Sequence, residues 1–300
     1  MKHRKTLMWL VSIAIVIALL TVLLALLKGP TTTSKAVKIV AAENVWGNIA
    51  SQIGGDHVNV TSIITDPTAD PHLYESSAKD ASAIASADIV IVNGLGYDDF
   101  MNKLLDASPN PNRTVITVAD TVFADKTANP HLWYDIARVG LVATAIQAKL
   151  ASVDSADKAT YESNLANFTN GLQPLLTHID TIAKAAAGKS VAYTERLPEY
   201  TTTLTQLTNK TPAGFAQAIE AGNEPSTADQ SAMQTLITSK QITALLYNSQ
   251  VDSPVVAHMR DLAAQHGVPT VAMSETLPAN TSYQDWMQTQ LNALEHALNQ

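Results

Sequence analysis

The residues of this chain best suited to do chemistry are two histidines that each stand directly after a proline. His72 lies in 70–75 (DPHLYE) and His131 in 129–135 (NPHLWYD). In both, leucine, an aromatic residue and an acid follow. Proline fixes its own φ and biases the residue before it towards extended backbone, so each imidazole leaves a stiff loop in a defined direction. Imidazole is the commonest protein metal ligand. Two such loops, 59 positions apart in a chain without cysteine, suggest one metal site built from two loops. Two glutamates stand in comparable places further on. Glu195 follows the apolar run 191–194 (VAYT), and Glu275 follows 268–273 (VPTVAM). With both carboxylates bidentate, these four residues offer as many as six donor atoms. A mixed nitrogen and oxygen set suits Mn²⁺, Zn²⁺ or Fe²⁺ better than Ca²⁺ or Mg²⁺, which prefer oxygen throughout.

The remaining candidates have plainer explanations. His57, His178, His258, His266 and His296 read as surface or capping residues. His266 precedes Gly267 in what looks like a helix C-terminus, where a cation is favoured. Asp70 and Asp135 are either partners that orient an imidazole or solvated acids. Trp46, Trp133 and Trp286 read as packing, and 224–226 as a helix-start signal.

The elements that must position these residues alternate. Strand patterns at 36–42, 58–64, 88–93 and 113–118 are separated by helical patterns at 43–53, 76–87 and 98–105. From Ile136 the pattern is helical for a long stretch. There Tyr161, Leu165, Phe168, Leu172, Leu175, Ile179 and Ile182 form an apolar stripe, with Pro174 expected to kink it. Strands at 191–194, 243–247 and 268–273 then alternate with helices at 199–207, 227–239, 254–266 and 282–298. The fold class is α/β, with two parallel-sheet lobes (36–150 and 188–300) joined by one long helix (151–187). Sites in such lobes lie beyond the carboxyl ends of strands, and a cleft between lobes is a favoured place.

Charge and composition narrow the function. Residues 1–35 carry five cations and no acid, leaving 14 basic and 27 acidic side chains for the rest. So acidic a body is a poor nucleic-acid binder, which argues against nucleic acid as a partner, and is compatible with attracting cations. The absence of cysteine excludes disulfides, thiolate zinc sites and cysteine nucleophiles. After a basic start at 1–5, residues 6–27 are free of charge and long enough to span a bilayer. The preceding cations put the N-terminus in the cytoplasm and the body outside. A cleavable signal peptide is the alternative, but its apolar core is ordinarily shorter. Residues 28–35 then form a tether.

The chain resembles the metal-binding solute-binding proteins of ABC transporters that serve zinc, manganese and iron uptake. The resemblance covers nearly all of 36–299. It is carried by 70–75 together with 87–96 (ADIVIVNGLG), by 129–133 (NPHLW), by 193–195 (YTE) and by 223–226 (NEPS). It implies that His72 and His131 are ligands and that the third ligand, a histidine or glutamate after the first strand of the second lobe, is Glu195. The fourth, usually an aspartate after the last strand, falls on Glu275, a departure from the pattern. The His-rich loop of many zinc-specific members has no counterpart in 122–129, and the usual lipid-anchor cysteine is missing. The helix at 6–27 stands in for that anchor. The implied protein is a monomeric, membrane-tethered, non-enzymatic component that passes Mn²⁺ or Zn²⁺, less readily Fe²⁺, to a permease in the same membrane. Two other classes share the ligand types: a zinc hydrolase, for which neither a His-Glu-x-x-His nor a Gly-x-Ser-x-Gly motif is present, and a surface adhesin with a structural metal.

Overall fold

Short β-branched runs alternate with amphipathic helices to build two parallel sheets of the same topology. The computed structural model describes residues 35–68, 70–122 and 129–300. The basic start, the helix expected over 6–27, nearly all of the tether and most of the 122–129 loop lie outside the described residues. The first sheet comprises β1 (Val37–Glu43), β2 (Val58–Ile64), β3 (Ile89–Val92) and β4 (Thr114–Thr117) in the order β2-β1-β3-β4. All of its pairings are parallel. Around it lie α1 (Asn44–Gly54), α2 (Ala78–Ala85), α3 (Phe100–Ala107) and α4 (Val118–Val122).

Two helices follow, α5 (Ile136–Val153) and α6 (Lys158–Ala185). The chain breaks between them where Asp154 turns its side chain to the backbone N–H of Ala156 and to the Tyr161 hydroxyl, a local alternative to continuing the helix. α6 is the long connecting helix. Its described backbone stays helical through Pro174, and the expected stripe from Tyr161 to Ile182 is buried along it, with Leu165 half-buried.

The second sheet repeats the first: β5 (Ser190–Tyr193), β6 (Thr208–Asn209), β7 (Ala244–Asn248) and β8 (Thr270–Met273) in the order β6-β5-β7-β8. Its helices are α7 (Glu199–Leu204), α8 (Ala213–Glu220), α9 (Thr227–Thr238), α10 (Pro254–His266) and α11 (Tyr283–Leu298). α4, β6 and α8 are additions to the elements read from sequence. β6 is a two-residue edge strand with both residues exposed, so it carries no apolar pattern.

Strand alternation sorts the core. Ile39, Ala41, Ile89 and Ile91 face one shared core that also takes in the α6 stripe, Val191, Tyr193, Ala244, Leu246 and α11. The other strand faces, Val40, Ala42 and Val90 in one sheet and Ala192 and Leu245 in the other, bury separate cores beneath the outer helices. The continuous inner core makes Ala36–Gln300 one compact unit. Side chains also tie the two halves together. Asn44 makes two hydrogen bonds to the backbone of Leu277, Tyr283 donates to the Trp133 carbonyl at 2.6 Å, and Tyr134 donates to the Ser274 carbonyl.

Candidate metal centre

The loops that leave the carboxyl ends of both sheets meet at one buried point. Pro71–Leu73 forms a single 3-10 turn after β2. Asp70 caps it by accepting the His72 backbone N–H on Oδ1 at 2.9 Å. The second Pro-His loop is built the same way. Asn129 Oδ1 accepts the His131 backbone N–H at 3.0 Å ahead of the 3-10 turn Leu132–Tyr134. The two echoes are thus one local device: a residue with a short oxygen-bearing side chain, two positions before histidine, pins the loop.

The Asn129 oxygen does more in the second loop. It lies 2.7 Å from His131 Nδ1, while the Asn129 amide nitrogen donates to the Arg196 carbonyl and to Glu199 Oε2. Those acceptors set the amide orientation, so the oxygen faces the ring and Nδ1 must carry the proton. Nε2 is left facing the centre, 3.2 Å from Glu275 Oε2: it donates to that carboxylate when the ring carries both protons, and its lone pair is free for an ion once that proton leaves. Neither reading offered for Asp70 and Asp135, an imidazole partner or a solvated acid, describes their contacts. Asp70 holds backbone, and Asp135 pairs with Arg138 at 3.4 Å. His131 is fully buried, walled by Trp133 and Tyr97 with ring centroids 5.6 and 5.7 Å away.

Glu275 stands between the two imidazoles. Its Oε2 is 3.2 Å from His131 Nε2 and 3.5 Å from His72 Nε2. Donor atoms of these three residues all lie within 4.8 Å of one another. The same oxygen accepts from the Tyr97 hydroxyl at 2.6 Å, and Oε1 accepts from Asn248 Nδ2 at 2.6 Å. The backbone N–H of Glu275 donates to Gln250 Oε1. Tyr97 reaches the centre from a tight turn after β3, where Gly94, Leu95 and Gly96 all have positive φ (84°, 58° and 81°). A Cβ on Gly94 would come within 2.9 Å of Thr117, so only glycine fits there.

Glu195 is buried at the edge of the same centre. Its Oε2 accepts the other hydrogen of Asn248 Nδ2 at 2.7 Å, and its buried Oε1 has no hydrogen-bond partner. It falls outside the three-residue donor cluster. The following residue, Arg196, anchors the loop through two bonds to Glu220.

Burial opposes charge on both glutamates, and their neighbours decide the outcome. In Glu275, burial is outweighed by the His131 hydrogen bond and charge, then by His72 and Tyr97, so its pKa falls to about 2. In Glu195, burial and the Glu275 charge together exceed the help of Asn248, and its pKa rises to about 8. One carboxylate is therefore ionised and the other protonated at neutral pH.

Asn129, Tyr97, Asn248 and Gln250 were not singled out from sequence as site residues. A signal existed for Asn129, which occupies the place of Asp70 in the other echo, and for Asn248, an amide ending the apolar strand ALLYN. The remaining histidines that were read as structural lie elsewhere. His57 pairs with Asp157 at 2.7 Å, His178 pairs with Glu295 at 2.9 Å, and His266 closes α10 before left-handed Gly267. A cavity of about 490 Å³ borders the centre. Thr68, Asp70 and Leu73 line it from the first lobe, Glu224, Gln250 and Asp252 from the second.

Comparison with known proteins agrees with this architecture. The profile of a family described as zinc-uptake complex component A, periplasmic, matches residues 39–297. The manganese ABC transporter substrate-binding lipoprotein PsaA of Streptococcus pneumoniae is 28% identical over 161 residues, 49% of this chain and 52% of that protein. The manganese-binding lipoprotein MntA of Bacillus subtilis is 22% identical over 290 residues, covering 89% of this chain and 91% of that protein. The chain thus spans about half the length of the first curated relatives it matches, and nearly all of MntA at lower identity. Among solved structures, the periplasmic zinc-binding protein TroA of Treponema pallidum superposes with a TM-score of 0.75 at 19% identity over 88% of this chain and 99% of that one. FpvC of Pseudomonas aeruginosa, solved in complex with Mn²⁺, gives 0.74 at 22% over 88% of this chain and 99% of that one.

Proposed function

The chain belongs to the family of periplasmic zinc-uptake components, and on that premise we propose that it captures a divalent transition metal, Mn²⁺ or Zn²⁺, outside the cytoplasm and delivers it to the permease of an ABC importer. The observation that carries the reading is the convergence of His72, His131 and Glu275 donor atoms within 4.8 Å of one another. His72, His131, Glu275 and Glu195 are the proposed ligands, and the metal is cargo. Residues 6–27 would tether the protein to the membrane that holds the permease. No chemical step is needed: the ion leaves as it arrived.

The two halves of the site differ in how they meet the ion. The imidazoles stand on loops pinned by Asp70 and Asn129, and the Asn129 oxygen also holds the His131 ring with Nε2 facing inward. The carboxylates come from the other lobe. The inter-lobe bonds of Asn44, Tyr134 and Tyr283 oppose wide opening, so release requires the permease to strain this seam or to pull one ligand pair away. Binding is tied to proton release. Glu195 holds its proton up to a pKa of about 8, and a ligand carboxylate must be ionised. From pH 5 to 8, affinity should therefore rise, by about tenfold per pH unit for the Glu195 proton alone.

The test is titration of the metal-stripped protein with Mn²⁺ and with Zn²⁺, with His131→Ala alongside. The expected result is one tight equivalent in the wild type and none in the variant. Unchanged affinity in both His72→Ala and His131→Ala would overturn the assignment.

A further inference from the structure

Asn248 offers one amide nitrogen to two carboxylates. It ends β7, is 2% exposed, and donates one hydrogen to Glu195 Oε2 at 2.7 Å and one to Glu275 Oε1 at 2.6 Å. Its own oxygen accepts the Gln250 N–H at 3.0 Å, and this fixes which end of the amide faces the glutamates. Each glutamate thereby has one oxygen turned towards the amide. What remains is Glu275 Oε2, the atom already between the imidazoles, and Glu195 Oε1, buried without a partner.

We propose that Asn248 is a specificity-determining positioning residue that keeps both glutamates monodentate and so biases the centre towards Zn²⁺ over Mn²⁺. The inference rests on the reading of this centre as a metal site. With the amide in place, the donor set is two imidazole nitrogens and two single carboxylate oxygens. Four donors match the tetrahedral preference of Zn²⁺. Mn²⁺ favours octahedral surroundings rich in oxygen, and gaining the extra donors would require both carboxylates to turn and bind through two oxygens. The Asn248 hydrogen bonds oppose that turn. Tyr97 does not oppose binding through Oε2. Its hydroxyl takes one lone pair of Oε2 and leaves the other for the ion.

Co²⁺ reads this directly, because four-coordinate Co²⁺ absorbs visible light far more strongly than six-coordinate Co²⁺. The full chain in detergent is stripped of metal, loaded with Co²⁺, and its spectrum recorded for wild type, Asn248→Ala and Asn248→Ser. The Zn²⁺-to-Mn²⁺ affinity ratio is measured on the same proteins by competition. Circular dichroism identifies which variants fold, and the smaller polar substitution stands in if alanine does not. The expected result is an intense four-coordinate spectrum in the wild type, a weakened one in the variants, and a fall in the ratio of roughly tenfold. A folded variant with unchanged spectrum and ratio would overturn the inference and leave the metal-binding reading intact, as would a weak six-coordinate spectrum in the wild type. A wild-type protein that binds neither metal would overturn both.

Discussion

The two lobes share a strand order but end their strands in opposite chemistry. In the first lobe, the loops after β2 and β4 carry His72 and His131, each pinned two residues upstream by Asp70 or Asn129. In the second, the loops after β5 and β8 carry Glu195 and Glu275, whose oxygens share an amide on β7. The histidines are held by partners close in sequence. The glutamates are held by residues 53 and 27 positions away and, for Glu275, by Tyr97 from the other lobe. Even equivalent positions diverge. Glu43 ends β1 as Glu195 follows β5, and burial, reinforced by the Asp98 charge, pushes Glu43 well above the usual carboxylate range. It has no place in the donor cluster. One topology thus supports a preformed imidazole half and a carboxylate half that depends on tertiary contacts. Damage to the first should abolish binding, whereas damage to the second should also alter selectivity and pH dependence.

The largest effect is expected from His131→Ala, which removes a proposed ligand from the first-lobe half. Isothermal titration should show metal affinity down by at least about 100-fold. A milder break is Asn129→Leu, which frees the ring to choose the wrong tautomer. It should weaken binding about 10- to 100-fold without removing a ligand. If affinity is unchanged, the imidazole half is not organised by Asn129.

Glu195→Gln separates the halves by pH. In the metal-free wild type, the folded state keeps the Glu195 proton up to a pKa of about 8, whereas the unfolded chain gives it up near the ordinary glutamate value. Folding therefore binds more protons in that window. The stability from this group is complete below the lower value and is lost as pH rises to the upper one. Thermal melts of metal-free protein should show the midpoint falling between pH 5 and 8, with the slope flattened in Glu195→Gln. A wild-type midpoint that rises over that range contradicts the assignment. The smallest effect is expected from Tyr97→Phe. It removes one hydrogen bond to a carboxylate and should reduce affinity by roughly two- to tenfold, read by the same titration.

Much of this was legible before any contact was known. The echo 70–75 and 129–135 marks both histidines, because proline and the following aromatic residue are local features. Helix α10 and strand β2 fall where the apolar period and the punctuating Pro254 and Gly267 put them. The two-residue β6 was not legible, since it pairs at a sheet edge with no apolar pattern. The break falls at 154–157, where the polar run Asp154-Ser155-Ala156-Asp157 interrupts the apolar stripe between Leu150 and Tyr161.

Residue type and spacing alone determined that this chain folds as parallel α/β lobes and presents two stiffly held imidazoles with two carboxylates at strand ends. Only the tertiary structure decided that Glu275 stands between both imidazoles while Glu195 waits at the edge, protonated, with Asn248 sharing its hydrogens between them. The reason is physical. Backbone stiffness and apolar period are properties of neighbouring residues, but which lone pair is occupied, and which carboxylate is charged, depends on groups that meet only when the sheets pack.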